Sequence, residues 1–275
     1  MENLTGKRLG PYEITAPIGE GGMAAVYQAY EARNDRYVAL KILPQHFAQS
    51  RQFAARFQQE SQVIARLRHP HILPVFDSGV VETPAAPPLP YFVMPFVDGE
   101  TLRHRLAREG ALAPADAVEL AGEVADALSY AHAHGVVHRD VKPENILLSG
   151  GHAGVVDFGV AKALGSGTAA APAGGAAQLT GIGIAIGTPQ YMSPEQATGR
   201  DLVDPRADQY GLGCVLYEML TGVPPFTGES AQSIIALAMT APRPRPGRAR
   251  AGVPPALDEV VTRAMAADPA ARYPD

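Results

Sequence analysis

Residues 138–145 read His-Arg-Asp-Val-Lys-Pro-Glu-Asn, and residues 157–159 read Asp-Phe-Gly. Asp140 is a candidate base, and Asn145 and Asp157 are candidate oxygen ligands for a hard divalent cation. A base and metal ligands at this spacing suit phosphoryl transfer. That chemistry asks a protein for positioning and charge neutralisation rather than for a nucleophile, so no serine or cysteine triad is required.

These groups need a frame. At 275 residues the chain is long enough for one large domain or two lobes, and 46% hydrophobic residues support burial. Short β-rich runs around Tyr12–Ile14, Ala25–Tyr27 and Tyr37–Leu40, punctuated by glycine, predict an antiparallel meander. A helix is expected over Arg51–Leu67, with Phe53, Phe57, Glu60, Ile64 and Leu67 on one stripe. Glu60 is a carboxylate in an apolar stripe, and an inward carboxylate needs a partner. Two further strands, near Leu73–Phe76 and Tyr91–Met94, flank a proline-rich link at residues 83–90 that reads as a surface hairpin loop.

Past Asp98-Gly99 the pattern turns helical. Pro114 opens a helix with Val118, Ala121, Val124, Ala125 and Leu128 on one face, and Gly135 closes it, so the 138–145 motif follows a helix end. Asp208 is expected to cap the apolar helix Tyr210–Leu220, which should anchor the larger lobe. Residues 165–178 are nearly all Ala, Gly, Ser and Pro and are expected to be mobile. The basic stretch Arg243–Arg250 reads as a solvated loop.

Composition excludes several classes. A formal charge of −5 gives no nucleic-acid footprint, and no apolar run or N-terminal signal suggests membrane insertion or export. The single cysteine, Cys214, excludes an internal disulfide, fits a reducing compartment and reads as buried packing. His132 and His134 are two positions apart on a helix end, and His138 belongs to the motif, so the trio does not read as a metal cluster.

Together the 138–145 and 157–159 motifs resemble the catalytic and metal-binding loops of eukaryotic-like (Hanks-type) protein kinases. Lys142 resembles the serine/threonine branch. The segments GEGGMAAVY (19–27), LRHPHILPVFDSG (67–79) and GTPQYMSPEQ (187–196) are similar to bacterial receptor-type members. The resemblance runs over residues 9–272 and implies an α+β, two-lobed kinase fold. An antiparallel five-stranded sheet with one helix forms the N-lobe (1–97), and a mostly helical C-lobe follows (98–275), together one kinase domain (9–275).

The same resemblance implies roles. Asp140 orients the attacking hydroxyl and takes its proton, Lys142 neutralises charge on the phosphoryl group, and Asn145 with Asp157 holds Mg²⁺, or Mn²⁺ in its stead. Ile18, Gly19, Glu20, Gly21, Gly22, Met23 and Ala24 form the loop over the ATP phosphates, with Ala24 where the family has a third glycine. Lys41 holds the α- and β-phosphates and pairs with Glu60. Val26 and Ala39 cover the adenine from above and Leu147 from below, while Met94 guards the back of the pocket. Pro95 C=O and Val97 N–H serve as hinge acceptor and donor.

Thr188 contacts Asp140 and Lys142, and Glu195 pairs with Arg272. Arg139 marks kinases switched by activation-segment phosphorylation, and Thr180 is the expected site, its phosphate meeting Arg139 and Lys162. Glu144 is a weak pointer to a basic residue before the target. The implied function is ATP- and Mg²⁺-dependent phosphorylation of protein serine and threonine, activated by autophosphorylation, with room for a homodimer. A pseudokinase or scaffold, and a small-molecule phosphotransferase, are the rival readings. The expected location is the cytoplasm, alone or as part of a longer membrane-anchored chain.

Overall fold

The computed structural model describes residues 3–21, 24–44, 51–83, 86–158, 189–199 and 204–274. Strands β1 (Arg8–Leu9), β2 (Tyr12–Gly21), β3 (Ala24–Glu31), β4 (Arg36–Ile42), β5 (Asp77–Thr83) and β6 (Ala86–Pro95) form one sheet in the order β1-β2-β3-β4-β6-β5. All its pairings are antiparallel. The two-residue β1 is a short addition to the five strands expected.

Alternation sorts the side chains of this sheet into two faces. Ala25, Tyr27, Ala29, Val38, Leu40, Ile42 and Val93 join Leu9, Tyr12, Ile14 and Tyr91 in one apolar cluster. The interleaved residues Val26, Ala39, Lys41, Phe92 and Met94 therefore belong to the opposite face, where Val26 is opposite Lys41, Lys41 opposite Phe92 and Ala39 opposite Met94. Helix α1 (Arg51–Ile64) packs on this second face, the rings of Phe57 and Phe92 lying 4.8 Å apart.

Two expectations shift. The strand anticipated near Leu73–Phe76 starts at Asp77; Pro74 has no N–H for a ladder, and only Phe76 N bonds to the sheet, at Val93 O (2.8 Å). The proline-rich stretch read as loop is largely strand, Val80 pairing with Pro90 and Val81 with Leu89. Pairing with β4 ends at Tyr91, so these prolines sit where β6 has a ladder on one side only, a position that tolerates them.

The chain divides into two compact units: residues up to 68 with 73–98, and His69–Ile72 with the described residues from Gly99 on. The second is mainly helical, with α2 (Leu102–Glu109), α3 (Pro114–Ala133), α4 (Pro194–Ala197), α5 (Arg206–Thr221), α6 (Ala231–Thr240), α7 (Pro246–Ala249) and α8 (Pro255–Ala264). A small sheet joins β7 (Glu100–Thr101), β8 (Ile146–Ser149) and β9 (His152–Val155).

Helix α3 buries Ala117, Leu120, Ala121, Val124, Ala127, Leu128 and Ala131, leaving Val118 and Ala125 exposed. The face is thus rotated from the one expected, because alanines carry almost no hydrophobic contrast. Gly135, at φ 74°, ends the helix: Gly135 N bonds to His132 O and Val136 N to Ala131 O, which satisfies two terminal carbonyls. Helix α5 is buried nearly all round. Cys214 lies within it, fully buried, and burial pushes its thiol up. Among the described residues no helix is long and apolar enough to cross a membrane.

Candidate active site

Among the described residues, residues 138–141 have no strand partner, and side chains hold them. Asp208, buried in the first turn of α5, accepts from His138 N (2.7 Å, Oδ2), Arg139 N (2.6 Å, Oδ1) and His132 Nε2 (2.8 Å, Oδ2). Asp208 is therefore not the helix cap expected of it. Helix α5 starts earlier, behind Pro205, with Asp204 Oδ1 accepting from Arg206 N (2.8 Å). Gly211, one turn on, allows close contact, since a Cβ there would come within 3.0 Å of both the Val141 side chain and its carbonyl.

The other anchors are equally specific. Gln196, which closes the capping box of α4 with Ser193, donates from Nε2 to Arg139 O (2.8 Å). His138 is fully buried; its Nδ1 accepts from Asp140 N (3.2 Å) and its Nε2 donates to Val156 O (2.8 Å), which selects the Nε2–H tautomer. Arg139 and Asp157 both have φ of 70°, a conformation that costs a non-glycine residue about 1–3 kcal/mol and persists only where the surroundings impose it. At Arg139 the surroundings are Asp208 on N and Gln196 on O.

Held in this way, Asp140 presents its carboxylate to two neighbours. Lys142 Nζ lies 2.6 Å from Oδ2, and Asn145 Nδ2 donates to Oδ2 (3.1 Å) and to Asp140 O (2.8 Å). With its amide nitrogen turned to Asp140, Asn145 keeps Oδ1, a hard oxygen donor suited to Mg²⁺-like ions. Asn145 is tied onward to the Asp157 segment by Val156 N bonding to Asn145 O (3.0 Å), and Phe158 packs on His138 with ring centroids 4.7 Å apart. One buried histidine thus links the loop that carries Asp140 to the segment that carries Asp157.

The first unit gathers the remaining candidates on one sheet face. Val26, Ala39, Lys41 and Met94 share it, and Pro95 is opposite Val38 at the end of β6, just before Val97. Glu60 follows Phe57 by one helical turn, on the side of α1 that meets Phe92, the cross-strand partner of Lys41. Gly19 is opposite Val26 and Gly21 opposite Ala24, and among the described residues a Cβ at Gly19 would meet nothing within 4 Å. Ile18 is exposed beside it, and Glu20 is opposite Ala25. Leu147 lies on β8 in the second unit. Gly22, Met23, Thr180, Thr188, Lys162 and the 165–178 stretch lie outside the described residues.

Two ionic groups brace the loop's surroundings. Glu195 and Arg272 form a buried bidentate pair at 2.6 and 2.8 Å, and Arg272 also donates to Arg206 O (2.7 Å) and Ala266 O (2.9 Å). Burial alone would raise the Glu195 carboxyl, but the Arg272 bonds outweigh it and hold it below the usual carboxylate range. Arg103 of α2 donates to Glu144 Oε1 (2.8 Å), to Glu218 Oε1 (2.7 Å) and to the Tyr191 hydroxyl, which in turn donates to Glu218 Oε2. Burial disfavours the Arg103 charge, yet the bonds to Glu218 and Glu144 prevail and raise its pKa.

Gln196 and Arg103 were missed in the sequence, and Asp208 was read only as a helix cap. A signal existed for Asp208: like Glu60, it is a carboxylate in an otherwise apolar helix, one that also carries Glu218, and the same need for a partner applies. Gln196 and Arg103 carried none.

A sequence model described as the protein kinase domain matches residues 12–273. The chain is 45% identical over 263 residues to serine/threonine-protein kinase PknB of Mycolicibacterium smegmatis, covering 95% of this chain and 40% of that protein. It is 44% identical over 271 residues to serine/threonine-protein kinase PknD of Mycobacterium tuberculosis, covering 98% and 38%. The chain thus spans about two-fifths of the length of the curated relatives it matches. Among solved structures, the Mycobacterium tuberculosis PknI kinase domain superposes with a TM-score of 0.73 at 31% identity, covering 98% of this chain and 93% of that one.

Proposed function

Because the chain belongs to the protein kinase domain family, we propose that it transfers the terminal phosphoryl group of ATP to serine and threonine hydroxyls of proteins. The observation that carries this reading is the Asp140 carboxylate, 2.6 Å from Lys142 Nζ and 3.1 Å from Asn145 Nδ2 on a loop hung from Asp208. The names of the relatives, serine/threonine-protein kinases, support the hydroxyl specificity.

When bound, ATP supplies the phosphoryl group and Mg²⁺, or Mn²⁺ in its stead, spreads its charge. The chain supplies the rest. Asp140 orients the incoming hydroxyl and accepts its proton, and Lys142 neutralises charge that grows on the transferring oxygens. Asn145 and Asp157 offer oxygen ligands to the cation. Lys41, paired with Glu60, holds the inner phosphates while the backbone of residues 19–24 approaches them. The residues proposed to take the base are Val26, Ala39, Met94, Pro95, Val97 and Leu147, and Thr188 is proposed to bear on Asp140 and Lys142.

Residues 1–97 and 98–275 act as the two lobes of one catalytic domain, working in the cytoplasm, where ATP is available and Cys214 stays reduced. Thr180 is the autophosphorylation site, modified within a transient homodimer. In support, Arg139 Nε is buried with no hydrogen-bond partner among the described residues, an opening that a phosphate would fill.

The test is label transfer from γ-labelled ATP to a generic protein and, in parallel, to small alcohols. Label on protein serine and threonine, none on alcohols, and loss in Lys41→Met with cooperative unfolding retained is the expected result. ATP binding without transfer would make the chain a scaffold, and labelled alcohols a small-molecule phosphotransferase. Mass spectrometry after incubation with ATP, followed by kinetics of Thr180→Ala, tests the switch: no phosphate on Thr180, or full activity without it, would remove it.

A further inference from the structure

Beside the catalytic loop two carboxylates share one cation. Glu218 is nearly buried, its side chain 3% exposed, whereas Glu144 is 40% exposed; the Arg103 guanidinium spans them at 2.7 and 2.8 Å. Tyr191 closes the group by accepting from Arg103 and donating to Glu218. Among the described residues the buried Glu144 Oε2 takes no hydrogen bond, and two carboxylates against one guanidinium leave the cluster a net negative charge.

Glu144 follows Asp140 by four positions, within the tight turn Pro143–Asn145. An extended peptide advances about 3.3–3.6 Å per residue, so a residue two or three places from a hydroxyl at Asp140 lies about 7–11 Å away. That is within reach of a side chain anchored in this turn. Left open, the pair Glu144 and Glu218 would favour Lys or Arg at such a position.

We propose that Arg103 is a specificity-determining residue: a built-in cation that fills the Glu144–Glu218 pair, so that the enzyme does not require a basic residue next to its target. The inference rests on the kinase reading above. A guanidinium fork satisfied by both carboxylates and a phenol is a better partner than a substrate lysine, and it pays no translational entropy because it is part of the chain. A peptide cation would have to displace it. The oxygen left on Glu144, Oε2, is buried, so it offers a peptide cation no open contact while Arg103 is in place.

The experiment is kcat/KM for a peptide set with Ala, Arg, Lys or Glu at each position flanking the phosphoacceptor. The wild-type enzyme should treat Arg and Ala alike within about threefold at every position. Arg103→Gln should gain a preference for Arg of about tenfold or more at one position, expressed in KM rather than kcat, and Arg103→Lys should restore indifference. Since Arg103→Gln strands the buried Glu218, a companion variant, Arg103→Gln with Glu218→Gln, removes that charge. It should show a smaller gain, which adding Glu144→Gln abolishes.

A wild-type enzyme that already prefers Arg tenfold would overturn the proposal, as would an active companion variant with no gain. A wild type that phosphorylates no peptide would overturn the kinase reading, and this inference with it.

Discussion

The sheet of the first unit and the loop at residues 138–145 are held by opposite means. The sheet rests on backbone ladders and one apolar cluster from Leu9 to Val93, while buried polar residues crowd the surroundings of the loop: His138, Asn145, Glu195, Asp208, Glu218 and Arg272. A strand carries its own hydrogen-bond partners in its neighbour. A loop with backbone at φ 70° does not, and each of its N–H and C=O groups needs a dedicated side chain. The sheet should therefore tolerate conservative change, and the loop should fail when a single acceptor is lost.

The largest expected effect is at the Glu195–Arg272 pair. Arg272→Leu leaves a carboxylate unpaired in the interior and should cost about 3–5 kcal/mol in denaturant unfolding. The pair also makes an acid-side prediction. The folded-state pKa of Glu195 is depressed, so its contribution is present at neutral pH and is lost as pH falls through that folded value. Unfolding free energy should drop more steeply below about pH 5 in the wild type than in Arg272→Leu, which has no pair to lose.

Next comes Asp208→Asn, which replaces one of the two oxygens accepting from His138 N and Arg139 N by a donor. Losing a hydrogen bond to a charged acceptor costs about 1.5–3 kcal/mol, and turnover should fall roughly ten- to a hundredfold if that loss is felt in the transition state. Steady-state kinetics with thermal unfolding separates the two. In the sheet, Ile14→Val trims one buried methyl and should cost only about 0.5–1.5 kcal/mol with turnover unchanged. Equal catalytic losses at Ile14 and Asp208 would erase the contrast.

The same division explains what could be read in the sequence. Short β-rich runs marked parts of β2, β3 and β4 and the Tyr91–Met94 end of β6, and the apolar stripe with one carboxylate singled out Glu60 on α1. Motif identity gave Asp140, Lys142, Asn145 and Asp157, as well as the Glu195–Arg272 pair. Local patterns failed where the answer depended on distant contacts. Asp208 looked like a cap because nothing nearby in sequence shows that two backbone N–H groups from residues 138 and 139 arrive at it. Glu144 looked available to a substrate because Arg103, forty-one positions earlier, is invisible to local reading. On α3 the helix was legible but its buried face was not, since alanine fits either side.

The central claim is that this scaffold holds Asp140 for proton acceptance during phosphoryl transfer. Its most direct measurement compares wild type and Asp140→Asn for turnover on a protein substrate and, separately, for ATP affinity. The account predicts a fall in kcat of about 10²–10⁴-fold with ATP affinity essentially unchanged, since the interaction matters chiefly in the transition state. Retained turnover, or a defect confined to ATP affinity, would contradict it.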